Sequence, residues 1–271
     1  MKRRAFFAVS AATVADSTLG QPRSAHALTN LMAPENKLEV YARMRGGIDG
    51  ERVLCWWSAN IWAKRNDDIA VKLMTAEGLT FSRVVRNSDG SLGYSQAGRG
   101  TYRDAETGKP LTKFTNPITG VKGEPDRIRS HSTGVIGTKG MVQEPSDRLI
   151  QLDSEISDPV VNAGQVFLRD NFVAKYQGVK QGAAPFTGSS LTTYVAAAGD
   201  IENDSAKFRP GNFFYQSLGG FSPWMGMDDA TGMMSWQTLG QKLYNGAASA
   251  PEDIRKWVEE NYPGFLSDPH I

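Results

Sequence analysis

Between Arg52 and Arg103 the chain is written as runs of aromatic and β-branched residues broken by turn residues, and this rhythm constrains the fold more than any other feature. Arg52 to Trp62, Ile69 to Ala76, Leu79 to Arg86 and Ser91 to Arg103 each read as a strand. Glu77-Gly78 and Asn87-Ser88-Asp89-Gly90 separate them, a hairpin meander by spacing. Further along, Pro159 to Tyr176 alternates enough for one or two strands, and Leu191 to Ala198 gives another. Phe208 to Phe221 has strand composition interrupted by Pro210-Gly211. The stretch from Val121 to Asp158 carries scattered Gly and Pro and reads as loop. Helices are predicted at both ends. Pro34 to Met44 is stopped by Gly46-Gly47, and Pro251 to Tyr262 opens on acidic residues and ends at Pro263-Gly264. The expected class is mainly β, an antiparallel barrel or sandwich with a calycin-like barrel among the options. Helices lie near the N- and C-termini, and residues 28–271 form one domain.

The first 27 residues read as an export signal rather than as part of that domain. Lys2, Arg3 and Arg4 precede an apolar stretch from Phe6 to Ala15, and Ala25-His26-Ala27 offers a small-x-small cleavage site. Arg3-Arg4-Ala5-Phe6-Phe7 resembles a twin-arginine signal, departing from it at Lys2 and Ala8. The expected localisation is periplasmic or secreted.

Cleavage there would take the net charge from +1 to −2, because four cations and one anion leave. A nearly neutral mature chain has no basic face for phosphates, so no nucleic-acid partner is expected. The longest apolar run falls short of the ~20 residues that span a bilayer, so no stable membrane insertion is expected. Cys55 is the single cysteine, and only His131 and His270 remain after cleavage, a poor set for a transition metal. Neither a metal nor a cofactor is expected. A nucleophile elbow, a P-loop and a dinucleotide fingerprint in its strand–helix context are all missing.

Several separated segments share a pattern. Met44-Arg45-Gly46-Gly47-Ile48-Asp49-Gly50 leads into Cys55-Trp56-Trp57-Ser58. Gly100-Thr101-Tyr102-Arg103-Asp104-Ala105-Glu106-Thr107-Gly108 and Thr115-Asn116-Pro117-Ile118-Thr119-Gly120 follow, then Ser222-Pro223-Trp224-Met225-Gly226-Met227 and Gly240-Gln241-Lys242-Leu243. This succession resembles the bacterial and fungal family catalogued as domain of unknown function 1838, over most of residues 35–245. Where that family usually carries a longer central insertion, this chain has only Val160-Val161-Asn162. The resemblance implies kinship and an exported N-terminus, and no chemistry.

The residues of these segments support two readings each. Asp104 either opens a turn closed by Thr107-Gly108 or accepts a proton, and His131 is a surface histidine or a general base. Arg103 and Arg45 either pair an internal carboxylate or hold a ligand's. Trp224 and Met225 are core or line a pocket. The functional expectation is one pocket where Tyr102, Arg103 and Trp224 converge, with Arg45 and His131 nearby. Arg103, Tyr102, Asp104 and His131 would be its catalytic groups, and Trp224, Arg45 and Met225 its substrate-binding ones. Such a site suits an exported small-molecule enzyme of lyase, isomerase or hydrolase type acting on an apolar or aromatic substrate. The alternatives are a non-catalytic carrier of such a ligand and an interaction protein with a filled core.

Overall fold

The computed structural model describes residues 31–47, 50–65, 68–142, 149–177, 186–206, 208–227 and 232–267. The export segment, Asp49, Asp228-Asp229 and His270 lie outside the described residues. Helix α1, Lys37–Arg45, follows a 3-10 turn at Pro34–Asn36. The strands are β1 Val53–Lys64, β2 Val71–Arg86, β3 Leu92–Arg103, β4 Phe114–Thr115, β5 Lys122–Gly123, β6 Ile128–Gly137, β7 Gly140–Val142, β8 Leu149–Ile156, β9 Val160–Asn162, β10 Gln165–Tyr176, β11 Phe186–Ala197, β12 Asn212–Gly219 and β13 Met233–Lys242. A short helix α2, Ala198–Glu202, follows β11, and α3, Glu252–Asn261, packs at the end of the chain.

Eleven of these strands form one antiparallel sheet: ten follow in the order β7-β6-β3-β2-β1-β13-β12-β11-β10-β8, and β9 pairs with β10 off that path. Its two edges approach each other, with the Met141 N–H donating to Ser154 Oγ at 2.8 Å, so the sheet is a nearly closed barrel rather than a sandwich. Even-numbered residues of β2 and β3 and odd-numbered residues of β1 face inward, as period-two alternation requires.

The strand reading needs three corrections. Ile69–Ala76 and Leu79–Arg86 belong to one long strand, and Glu77-Gly78 is no turn: Glu77 pairs with Ser58 and Gly78 with Trp57. The glycine is there because the Trp57 indole lies across it, and any Cβ at Gly78 would overlap that ring. The stretch read as loop from Val121 to Asp158 holds β5, β6, β7 and β8. Its small residues are there for packing: a Cβ at Gly134 would come within 2.7 Å of Tyr94 Cε1. β13, the central partner of both β1 and β12, was not anticipated.

Three packed clusters position the lumen. On the outside, Ile254 and Val258 of α3, with Tyr262 and Phe265, cover Leu54, Leu79, Phe81 and Ala97. This is the amphipathic stripe of the predicted C-terminal helix finding an apolar sheet face. One barrel end is closed by α1, whose Leu38, Tyr41 and Met44 pack with Leu92, Tyr94, Leu168 and Tyr194. The other end is filled by Ala59, Ile61, Met74, Ala76, Tyr102, Phe114, Met225 and Met227.

Candidate functional site

Between the two plugs runs a cavity of about 580 Å³ to which all ten strands of the barrel contribute side chains. Aromatic walls come from Trp57, Phe172, Phe213, Tyr215 and Trp236. Hydroxyl groups come from Thr80, Ser82, Ser130, Ser132, Thr192 and Thr238. The Trp57 Nε1–H donates to Thr80 Oγ1 at 2.9 Å, which fixes the indole against Gly78 and Gly100. Phe213 lies over Gly240 in the same way. Glycines thus buy lumen width opposite each large ring, a pattern that only the folded register makes readable.

The α1 end of the cavity is charged. Arg45 reaches in from the last turn of α1 and meets Asp170 of β10, with Nη1–Oδ2 at 3.4 Å and side chains only 10% and 7% exposed. Arg45 also donates to Tyr41 Oη and, at 3.1 Å, to Gln96 Oε1. The Tyr41 hydroxyl in turn donates to Asp170 Oδ2 at 2.7 Å. The Tyr94 ring lies 4.8 Å from the guanidinium carbon, within cation–π range. Burial alone would lower the Arg45 pKa, but Tyr194, Tyr41 and Asp170 hold it above its ordinary value. Burial pushes Tyr194 up to about 12 and Cys55 up to about 11, so both keep their protons at neutral pH.

Lys242 of β13 also lines the cavity and is 7% exposed. Its ammonium donates to the carbonyls of Arg43, at 2.8 Å, and Gly46, at 2.7 Å, at the C-terminus of α1. Burial draws its pKa down to about 8.

Of the expected site residues, the structure brings Tyr102, Trp224 and Met225 into one cluster and places Arg103, Asp104, His131 and Arg45 apart from it. The Tyr102 and Trp224 rings meet at 5.3 Å, and Phe114 joins Trp224 at 5.4 Å. These groups form the floor below the cavity rather than its wall, where the Tyr102 ring meets that of the lumen residue Trp236 at 5.9 Å. Met225 is fully buried there, and burial lifts the Tyr102 hydroxyl to about 12. Arg103, odd-numbered on β3, points outward and pairs with Glu77 at 2.7 Å and Asp253 at 3.0 Å. His131 pairs in register with Ala97, faces outward and is exposed. Of the predicted residues, Arg45 alone lines the cavity.

Asp104 closes an exposed turn. Its Oδ1 accepts the backbone N–H of Thr107 at 2.7 Å, the Thr107 hydroxyl at 2.8 Å and the Glu106 N–H at 3.2 Å. The Thr107 backbone bond, then its hydroxyl, hold the carboxyl below its ordinary pKa. Asn116 repeats the device: Oδ1 accepts the N–H of Ile118 and Thr119, and Gly120, like Gly108, takes a positive φ. The buried Asn116 also donates through Nδ2 to the Met225 carbonyl at 3.0 Å. The Asn-Pro-Ile-Thr-Gly and Pro-Trp-Met segments are therefore two halves of one cap over the barrel floor.

Asp170, Lys242, Trp57 and Trp236 were missed as site residues. Trp57 and Lys242 lie inside the segments singled out from the sequence, and inward alternation along β1 would have favoured Trp57. Nothing local marks Asp170. Among the described residues, no group of three or more His, Cys, Asp or Glu side chains is placed to hold a metal ion. No helix among them is long and apolar enough to cross a membrane. Residues 50–136, which span β1 to β6, match the family model described as "Protein of unknown function (DUF1838)". No curated protein and no solved structure matches the chain.

Proposed function

We propose that this chain, a member of the DUF1838 family, binds one small molecule carrying an aromatic or apolar body in the lumen of its barrel. The observation that carries this reading is the cavity lined by every strand of the barrel, with rings on its walls and hydroxyls between them. A cavity of this size falls in the range of small-molecule sites, and indole and phenyl faces bury flat ligands while hydroxyls set their orientation.

Retention of the ligand is favoured over turnover by the state of the titratable groups. Arg45, Asp170 and Tyr41 satisfy one another, and Cys55 and Tyr194 hold their protons far from neutrality. One observation favours the enzymatic alternative of a lyase, isomerase or hydrolase. Lys242 is the lumen side chain whose pKa, about 8, suits proton transfer, although its ammonium is held by two carbonyls. Native mass spectrometry of protein purified without denaturant tests the binding reading. An added mass that Trp57→Ala or Trp236→Ala releases supports it. A ligand-free mass, together with no rise in melting temperature across a panel of aromatic compounds, overturns it.

The reading extends to the address of the protein. Export through residues 1–27 rests on Arg3-Arg4 and Ala25-His26-Ala27, and predicts a mature chain starting near Leu28. N-terminal sequencing of the native protein checks it, and a cytoplasmic pool with Met1 intact would refute it.

A further inference from the structure

We infer that the α1 end of the lumen is an anion subsite, in which Lys242 and Ser82 receive the carboxylate of an aromatic acid. This deepens, and rests on, the reading of the lumen as a small-molecule site.

The argument starts from charge balance. Among the described residues, three charged side chains line the cavity: Arg45, Asp170 and Lys242. Arg45 and Asp170 face each other and share Tyr41, so their charges cancel locally. The Lys242 ammonium donates to the carbonyl oxygens of Arg43 and Gly46, has the Arg209 cation among its charged neighbours, and among the described residues pairs with no carboxylate. Carbonyl dipoles at a helix C-terminus amount to about half a negative charge, so the ammonium stays undercompensated. A buried cation in that state is costly, and its depressed pKa reports the cost. One monovalent anion in the lumen would complete the balance.

A second, independent observation places a hydrogen-bond group in the same cavity. Ser82 Oγ is buried, the residue being 5% exposed, and among the described residues it has no hydrogen-bond partner. A buried hydroxyl without a partner keeps the cost of its lost hydration, a deficit that a ligand oxygen removes. Ser82 lines the cavity on β2 and pairs in register with Gln96 of β3. Gln96 gives its Oε1 to Arg45, which leaves its amide nitrogen as a further donor. The donor set is an ammonium, a hydroxyl and an amide, all suited to carboxylate oxygens. The walls beyond it are Trp57, Trp236 and Phe213, which suit a ring. Polar head at α1 and ring toward the floor is therefore the orientation the lumen supports.

The test titrates the full mature chain with 2-naphthoate and with its neutral counterpart 2-naphthylmethanol, by calorimetry. Wild type is expected to bind the carboxylate at least tenfold more tightly than the alcohol. Lys242→Met should abolish that preference, bringing the two affinities within twofold of each other. Because Lys242→Met also frees two helix-end carbonyls and risks misfolding, Ser82→Ala serves as a second variant. It removes only an unpartnered hydroxyl and should weaken naphthoate severalfold with the fold intact. Equal binding of both probes by wild type, or a preference that survives in both variants, overturns the anion subsite and leaves the lumen reading standing. Failure of both probes to bind overturns the lumen reading itself, and the subsite with it.

Discussion

At the floor of the barrel Tyr102, Phe114, Trp224 and Met225 fill the lumen with groups that need only volume and shape, whereas at the α1 end Arg45, Asp170 and Tyr41 fill it with groups that must be matched atom by atom. Both ends are packed, by different means. The floor is held by ring contacts at 5.3–5.9 Å and tolerates any side chain of similar bulk. The α1 end holds its shape only while every partner is present, since a buried charge that loses its partner has nowhere to discharge. A cap built from volume suits a structural role. A cap built from directed polar groups gives the cavity a chemically distinct end.

The largest expected effect comes from breaking the charged end. Asp170→Ala strands the Arg45 guanidinium and should lower the unfolding free energy by about 3–5 kcal/mol in denaturant titration. Met225→Leu at the floor should cost less than about 1.5 kcal/mol. Equal losses in these two variants would erase the contrast between the ends. Next in size, Met225→Ala opens a hole beneath Trp224 and should cost about 3 kcal/mol, since the side chain is fully buried.

The alkaline limb of stability sharpens the comparison, because each end holds a buried tyrosine. Tyr194 and Tyr102 are pushed from an ordinary 10.0 to about 12, in both cases by burial. The folded state therefore keeps protons that the unfolded chain releases. Their contribution is whole below pH 10 and is lost as pH rises toward 12, on the order of 2 kcal/mol for each. Melting temperatures recorded from pH 8 to 11.5 should fall less steeply for Tyr194→Phe, and likewise for Tyr102→Phe. A slope unchanged by either substitution would show that burial does not separate these hydroxyls from water.

The smallest effect is expected outside the barrel. Asp253 meets Arg103 from an exposed position on α3, and Asp253→Ala should change stability by about 0–1 kcal/mol. Probe binding in the lumen should be unaffected, since neither residue lines it. A change in affinity would connect the outer pair to the cavity.

Much of the scaffold was legible in the chain. Turn-bounded runs rich in aromatic and β-branched residues along Arg52–Trp62 and Ser91–Arg103 report two wall strands within two residues of their ends, and the acidic start and apolar stripe of α3 report a helix. The turns at Asp104–Gly108 and Asn116–Gly120 follow from side-chain oxygens capping local N–H groups, which is sequence-local chemistry. The misread turn at Glu77-Gly78 shows the limit. Glycine there serves the ring of Trp57, its register partner on the neighbouring strand, and a local rule has no access to that ring.

The same limit governs the site. Tyr102 and Trp224 were grouped from shared motif character and do meet, but as a floor, because inward alternation says that a residue points into the barrel and not at which height. Arg45 carried the right chemistry, yet its partner Asp170 lies 125 residues away and stands beside it only after β3, β10 and α1 are brought together. Sequence alone fixes what depends on neighbours along the chain: strand, turn, helix stripe and the charge carried by each side chain. Tertiary structure decides which charges cancel and which remains unbalanced, because cancellation falls off with distance in space, and distance in space is set by the closure of the barrel.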